Sequence, residues 1–317
     1  LPPQWLSGEP LPVGSKLRLN LFDDVELEAE VAVSFINVNG TVSTTARLAG
    51  SRWGLAVLSA TGDELLARVD QPETGRVFAV NYHHGERRHY AVELDPMLAD
   101  GAPEPDHPIP PPGAETEAPT LSASGGGADD PLAAGTTVVD VMMVYTNQAL
   151  ANAGSLENLK NTLAGGMAYA NAAHANTNSG ITLWLTYTAG VDYNDSGNPS
   201  TDLERITSTN DGKMDQVHAW RDSHGADFVC LVIGQNAGGV GWLLTSTAGM
   251  PNYAFSVVGL GSVNSLTPGH EIGHNMGLHH AKDQNFQAGP TGGSIGNDAA
   301  GWHWHPNPGA IGYCSVM

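Results

Sequence analysis

The chain has 317 residues, with 33 acidic residues against 13 Lys and Arg, so its net charge is −20 at pH 7. This charge excludes nucleic acid as an expected partner, because phosphates would be repelled. No apolar stretch approaches the roughly twenty residues that cross a bilayer, so we expect no membrane span. The chain opens LPPQWLSGEP without a methionine, and we expect a secreted, extracellular protein whose signal peptide has been removed.

Residues 1–98 have the pattern of antiparallel β structure. Short segments rich in Val, Leu, Ala and Thr alternate with turn signals such as Asn39-Gly40 and Thr61-Gly62. The predicted strands are Lys16–Leu21, Glu26–Ile36, Thr41–Leu48, Leu55–Leu58, Glu64–Val69, Val77–Tyr82 and His89–Leu94. We expect a small sandwich or a curled sheet.

Residues 99–135 differ in composition from both flanking regions. Pro, Gly, Ala, Ser and acidic residues dominate, with three prolines at 110–112 and three glycines at 125–127. Such a segment cannot bury enough surface to fold alone, so it predicts an exposed linker that proteases can cut.

Residues 136–317 alternate between strand and helix patterns, which predicts an α/β domain with a mostly parallel sheet. The predicted helices are Leu156–Ala175 and Lys213–Ser223. The predicted strands are Thr137–Tyr145, Ile181–Tyr187, Phe228–Ile233, Val240–Leu244 and Tyr253–Val258.

The run HEIGHNMGLHH, residues 270–280, carries the strongest chemical signal. His270 and His274 are four residues apart, so on a helix both reach one metal ion, and Glu271 can take a proton from a water. Gly277 can end the helix in a left-handed conformation and let His280 return as a third ligand. Three protein ligands are typical of a catalytic zinc site, because they leave one position open.

His279 lies beside His280 and is the alternative third ligand. The spacing of the motif favours His280, which leaves His279 as a residue at the rim of the site. We therefore predict one Zn²⁺, held by His270, His274 and His280.

Two weaker features concern cysteine and calcium. Cys230 and Cys314 are the two cysteines of the chain, and in a secreted protein they can form one disulfide or remain buried thiols. The Asn- and Asp-rich residues 191–198 permit a Ca²⁺ site, although a solvated turn fits that segment better.

The zinc motif, followed by the sequence Tyr-Cys-Ser-Val-Met at 313–317, resembles the metzincin zinc endopeptidases. The resemblance covers residues 136–317 and is strongest to a bacterial reprolysin-like branch that includes peptidyl-Asp metallopeptidases. It implies a metzincin-like fold, a twisted sheet plus an active-site helix, with Met317 in a turn beneath the metal. It further implies that Gly241, Trp242 and Leu243 form an edge strand that binds extended substrate.

The chemistry that the resemblance implies is hydrolysis of peptide bonds in protein or peptide substrates. A zinc-activated water would attack the carbonyl, with Glu271 as general base. A preference for acidic residues is a further hint of the resemblance.

The order of β region, linker and protease resembles that of secreted metzincin precursors, so we expect a zymogen inhibited by its own pro-domain. No cysteine precedes Cys230, which excludes a cysteine that blocks the zinc from the N-terminal region. The candidates for an aspartate that does so are Asp95, Asp100, Asp106, Asp129 and Asp130. Simple steric occlusion is the other possibility.

Two functions from other classes compete with the peptidase. The chain can be a non-catalytic zinc-containing binding or adhesion protein, or a zinc amidase that acts on a non-protein amide. Glu271 argues against the first, because a structural zinc site has no need of that carboxylate.

Overall fold

The computed structural model describes residues 8–95, 106–111, 137–284, 287–290, 295–304 and 313–317. Within these ranges the chain forms an N-terminal antiparallel sheet, followed by an α/β region with its own sheet. The α/β region has the arrangement that the sequence predicted, a mostly parallel sheet covered by helices.

The N-terminal sheet has seven strands, each paired antiparallel with the next along the chain. They are β1 (Lys16–Phe22), β2 (Val25–Ile36), β3 (Val42–Leu48), β4 (Leu55–Thr61), β5 (Glu64–Gln71), β6 (Arg76–His83) and β7 (Arg88–Leu94). Alternate residues such as Leu17 and Leu19 are buried, and they join Val31, Leu58 and Phe78 in one core. Of the two expected architectures, the structure has the curled sheet.

The second sheet has the strand order β11-β12-β10-β8-β9. Its strands are β8 (Thr137–Tyr145), β9 (Ile181–Gly190), β10 (Phe228–Ile233), β11 (Gly239–Gly241) and β12 (Phe255–Gly259). Four of them run parallel, and β11 alone pairs antiparallel, at the edge. A two-stranded hairpin, β13 (His303–Trp304) and β14 (Tyr313–Cys314), completes the described strands.

Six α-helices accompany these strands in the part of the chain that the structure describes. They are α1 (Asn147–Ala153), α2 (Leu156–Thr177), α3 (Pro199–Thr207), α4 (Gln216–His224), α5 (Leu260–Val263) and α6 (Thr267–Asn275). Apolar side chains cover both faces of the sheet, which explains why β10 reads as a continuous hydrophobic run.

Helix α3 was not expected from the sequence, where the residues before it read as a turn. Asn198 caps the helix by accepting a hydrogen bond of 2.9 Å from the N–H of Ser200, and Pro199 occupies the first turn. Both are N-terminal helix signals that the Asn- and Asp-rich loop obscured.

The disulfide between Cys230 and Cys314 that the sequence left possible is not present in the structure, where both cysteines are free. Cys230 lies in the central strand β10 and is fully buried, whereas Cys314 is exposed in β14. Burial raises the pKa of the Cys230 thiol to about 12, so this side chain behaves as a small hydrophobic residue.

The predicted linker lies mostly outside the described residues, but its residues 106–111 are described. These six are not a fully solvated linker, because His107 and Pro110 are buried.

As for a membrane span, no described helix is both long and apolar enough to cross a bilayer.

Candidate metal centre

Helix α6 presents two histidines to one point. His270 and His274 are one turn apart on the same face, and their Nε2 atoms lie 3.1 Å from each other. His280 returns to the same point, with its Nε2 3.2 Å from that of His270. The three imidazoles predicted as zinc ligands therefore converge in the structure.

The chain reversal that returns His280 depends on Gly277. This glycine has φ +91°, a conformation that residues with a Cβ rarely adopt. The N–H of Gly277 donates to the carbonyl of His274, and that of Leu278 donates to the carbonyl of Gly273, both at 2.9 Å. These two bonds form a Schellman motif, which ends the helix as the sequence predicted.

Each of the three imidazoles is oriented through its second nitrogen. Nδ1 of His270 lies 2.5 Å from the carbonyl of Val316, and Nδ1 of His274 lies 2.7 Å from that of Leu278. Nδ1 of His280 lies 3.0 Å from the amide nitrogen Nε2 of Gln284. For His270 and His274, a carbonyl that accepts from Nδ1–H fixes the tautomer and leaves the Nε2 lone pair free for a metal.

The spacing of the three Nε2 atoms fits zinc. Zn–N bonds of 2.0–2.1 Å in a tetrahedral site imply nitrogen atoms about 3.3 Å apart. The observed separations of 3.1 and 3.2 Å are close to that value. The donor set and its geometry therefore suit a zinc ion with a fourth, non-histidine position.

Asp106 lies at that fourth position. Its Oδ2 is 3.1 Å from Nε2 of His280 and 3.4 Å from Nε2 of His270, and its Oδ1 is 3.8 Å from Nε2 of His274. Burial favours a raised pKa for the Asp106 carboxyl. Hydrogen bonds from His107, His270 and His280 outweigh it and hold this pKa well below the ordinary value.

Glu271, which follows His270 in helix α6, is a second acidic residue close to the histidine cluster. It is 1% exposed, and among the described residues its Oε2 has no hydrogen-bond partner. Burial raises the pKa of this carboxyl well above the ordinary value, and the charge of Asp106 raises it further. A buried carboxylate oxygen without a protein partner is costly, which indicates that the site is built for a group besides protein.

Two glycines of the edge strand give the Glu271 carboxylate its space. A Cβ on Gly239 would collide with Oε1 of Glu271, and a Cβ on Gly241 would lie 2.8 Å from the Glu271 carbonyl oxygen. The close approach of β11 to α6 thus requires glycine at both positions.

Residues 106–108 are paired with Gly241–Leu243, the segment that the family resemblance implies binds substrate. Of this segment only Gly241 lies within the edge strand β11, and the other two residues follow directly after it. The N–H of Gly241 donates to the carbonyl of Asp106 at 2.7 Å, and the N–H of Leu243 donates to that of Pro108 at 3.0 Å. Trp242, between them, donates instead to the carbonyl of Phe255 within the sheet. The pairing runs parallel, because both residue numbers rise together.

Met317 lies beneath the histidines. A Cβ on Gly273, between His270 and His274, would collide with Sδ of Met317. The preceding carbonyl, that of Val316, is the one that orients His270. These contacts place residues 316 and 317 against the histidine-bearing face of α6, and the methionine turn stays a prediction.

His107 is a residue of the site that the sequence did not indicate. It is 7% exposed, and its ring centroid lies 4.5 Å from that of His274 and 4.7 Å from that of His280. Sequence alone marked Asp106 only as one of five candidate aspartates, and nothing distinguished the histidine after it.

His279 is buried beside the cluster but is not part of it. Its backbone is held by Ala299 and Gly301, and its Nε2 has no partner among the described residues. The described residues contain two groups of three or more potential metal ligands, and Asp106 belongs to both. The first group adds His107, His274 and His280, and the second adds His270 and Glu271. The structure therefore brings His280 to the cluster rather than His279, and the calcium hypothesis for residues 191–198 stays a prediction.

Comparison with known proteins places these residues in a family context. The family model Reprolysin_5, of metallopeptidase family M12, matches residues 135–308. A peptidyl-Asp metalloendopeptidase from Xanthomonas campestris pv. campestris is 31% identical over 147 residues, which are 45% of this chain and 33% of that protein. One from Stenotrophomonas maltophilia is 33% identical over the same shares. The match thus spans about a third of the length of these curated relatives.

Among solved structures, metalloproteinase-II from Bacteroides fragilis is similar, with a TM-score of 0.49 and 13% sequence identity. The superposition covers 84% of this chain and 82% of that one.

Proposed function

Because this chain belongs to metallopeptidase family M12, we propose that it is a zinc-dependent endopeptidase of protein or peptide substrates. The observation that carries the proposal is the convergence of three Nε2 atoms, separated by 3.1 and 3.2 Å, beside the buried carboxylate of Glu271. His270, His274 and His280 are the zinc ligands in this proposal.

Zinc in this position supplies Lewis-acid polarisation of the scissile carbonyl and lowers the pKa of a water to about 7. Glu271 removes the proton from the attacking water and delivers it to the leaving amine. Burial raises the pKa of the Glu271 carboxyl, which makes its carboxylate a stronger base for the proton of the water. The N–H groups of Gly241 and Leu243 align the substrate backbone, as they align residues 106–108.

Latency is the second part of the proposal. Asp106 takes the fourth position at the metal, and its backbone occupies the donors of the edge strand. Substrate and residues 106–108 therefore compete for the same groups. In this proposal residues 1–98 are a pro-domain, residues 99–135 hold the inhibitory segment and the connection to be cut, and residues 136–317 are the peptidase.

A preference for acidic residues at the cleavage site is proposed from the relatives, which are named peptidyl-Asp metalloendopeptidases. Arg221 does not serve this preference, because its buried guanidinium donates to the carbonyls of Ala226, Pro251 and Asp227. Secretion also stays a prediction.

A non-catalytic zinc protein explains the site less well than a peptidase. Three histidines suffice to hold the metal. A buried Glu271 with an unpartnered oxygen destabilises the fold, and a purely structural zinc site gains nothing from it. An amidase acting on a non-protein amide would use the same metal and base. The edge strand favours a peptide, because its donors are spaced to pair with an extended backbone.

Digestion of casein by the zinc-loaded chain, after limited proteolysis of residues 99–135, tests the proposal. We expect hydrolysis that a chelator abolishes and added zinc restores, and no hydrolysis by Glu271→Gln. Hydrolysis that survives removal of the metal, or an inactive zinc-loaded protein with intact Glu271 and an emptied cleft, would refute it.

A further inference from the structure

The N-terminal sheet is bound to helix α2 through an interface with the character of a core. Leu55 and Val57 of β4 pack on Ala168, Tyr169 and Ala172 of α2, and all five are at most 9% exposed. A patch of apolar side chains this well buried has the character of the core of a stable interface.

Hydrogen bonds also cross this interface. Asn161 of α2 is fully buried, its Oδ1 accepts from the hydroxyl of Thr61 at 2.8 Å, and its Nδ2 donates to the carbonyl of Glu64 at 3.0 Å. The carboxylate of Glu64 accepts from Ser155, the N-cap of α2, at 3.1 Å. The sheet thereby holds the first turns of α2.

A charged group is also paired across the interface. The hydroxyl of Tyr169 donates to the carboxylate of Asp70, and the guanidinium of Arg68 lies 3.2 Å from that carboxylate and 5.2 Å from the centre of the Tyr169 ring. Tyr169 and Asp70 are 8% and 9% exposed. Loss of the sheet would remove the tyrosine's acceptor and expose the apolar patch around it.

The inhibitory segment 106–111 lies between two connections. Residues 96–105 join it to the sheet after β7, and residues 112–136 join it to the peptidase before β8. A cut in one connection leaves the segment attached by the other. A short covalent connection keeps a bound segment at an effective concentration of about millimolar.

We propose that the N-terminal sheet stays bound to α2 after the chain is cut between residues 112 and 136, and that it keeps Asp106 in the cleft. The sheet is then a retained subunit. The cleft empties only when a second cut, between residues 95 and 106, also separates segment 106–111 from the sheet. The activity measurement that tests this proposal rests on the proposed peptidase function and its latency. The association of the sheet with α2 can be measured without activity.

The experiment uses the full zinc-loaded chain with engineered recognition sequences for a site-specific protease. One is inserted between Asp95 and Asp106, a second between Pro111 and Thr137, and a third version carries both. We expect the version cut after Pro111 to elute as one complex on size exclusion, with casein hydrolysis at least tenfold below the doubly cut version. Separate elution of the sheet, or full hydrolysis after that single cut, would overturn the proposal.

Amide exchange gives a readout that does not need catalysis. The N–H groups of Gly241 and Leu243 are protected by the carbonyls of Asp106 and Pro108, so their protection should survive the single cut and vanish after both. If even the doubly cut protein hydrolyses nothing, the proposed peptidase function fails, while elution and exchange still decide whether the sheet is retained.

Two variants probe the interface itself. Val57→Asp, which buries a charge against α2, should release the sheet after the cut, whereas Val92→Asp on the exposed side of β7 should not. Should Val57→Asp fail to fold, Tyr169→Phe replaces it and should weaken association about tenfold, through loss of the hydrogen bond to the Asp70 carboxylate. Equal retention of the sheet by Tyr169→Phe and the unaltered protein would place the binding elsewhere and refute this interface.

Discussion

Oδ2 of Asp106 lies 3.1 Å from Nε2 of His280, the residue that completes the three-histidine cluster. The two residues are 174 positions apart in the sequence, and only the fold brings them together. The same aspartate accepts the Gly241 N–H through its carbonyl. One residue therefore contacts both the histidine cluster and the segment that we expect to hold substrate.

Asp106→Ala should raise the hydrolysis of casein by the uncut chain by about tenfold or more, because a charge-assisted contact contributes about 1.5–3 kcal/mol. Initial rates of the uncut, zinc-loaded protein measure the effect. Asp23→Ala, in the exposed turn between β1 and β2, is the matched control and should leave the rate unchanged. An unchanged rate for Asp106→Ala would assign latency to steric occlusion alone.

Glu271→Gln should lower kcat of the activated enzyme by about 10²–10⁴-fold, the range for loss of a general base. Zinc content should stay at one ion per chain, because the three histidines remain. Metal analysis and rates on the same preparation test both statements, with Glu204→Gln on the exposed face of α3 as control. Loss of zinc together with activity would indicate a structural rather than a catalytic role.

Gly239→Ala should displace the Glu271 carboxylate, since the added Cβ would collide with Oε1. A misplacement of about 1 Å costs on the order of 100-fold in rate, so kcat should fall by about that factor. Gly238→Ala is a close control, because a Cβ there meets no atom within 4 Å. Equal activity of the two variants would show that the edge strand does not constrain the base.

Thiol titration should count one reactive cysteine in the native protein and two after unfolding. Cys314 is exposed, whereas burial keeps Cys230 inaccessible and raises its thiol pKa to about 12. Cys314→Ser should therefore remove the native reaction entirely. No reactive thiol in the unfolded, unreduced protein would restore the disulfide that the structure contradicts.

Predictions from the sequence succeeded where the signal is local. The strand Thr137–Tyr145 has the predicted bounds, and the helix predicted at Leu156–Ala175 is present as α2. The zinc motif specified its own geometry, because helical spacing, a left-handed Gly277 and a short return to His280 all act within eleven residues.

The sequence by itself thus predicted the convergence of His270, His274 and His280 and the alternation of strands and helices, since periodicity and spacing act between near neighbours. Only the tertiary structure decided which of five aspartates faces the histidines, where His107 lies, and that Cys230 and Cys314 do not meet. The physical reason is the same in each case. Long-range contacts depend on how the sheets pack and how the chain between them is routed, and no local pattern of residues encodes the distance between side chains so far apart in the chain.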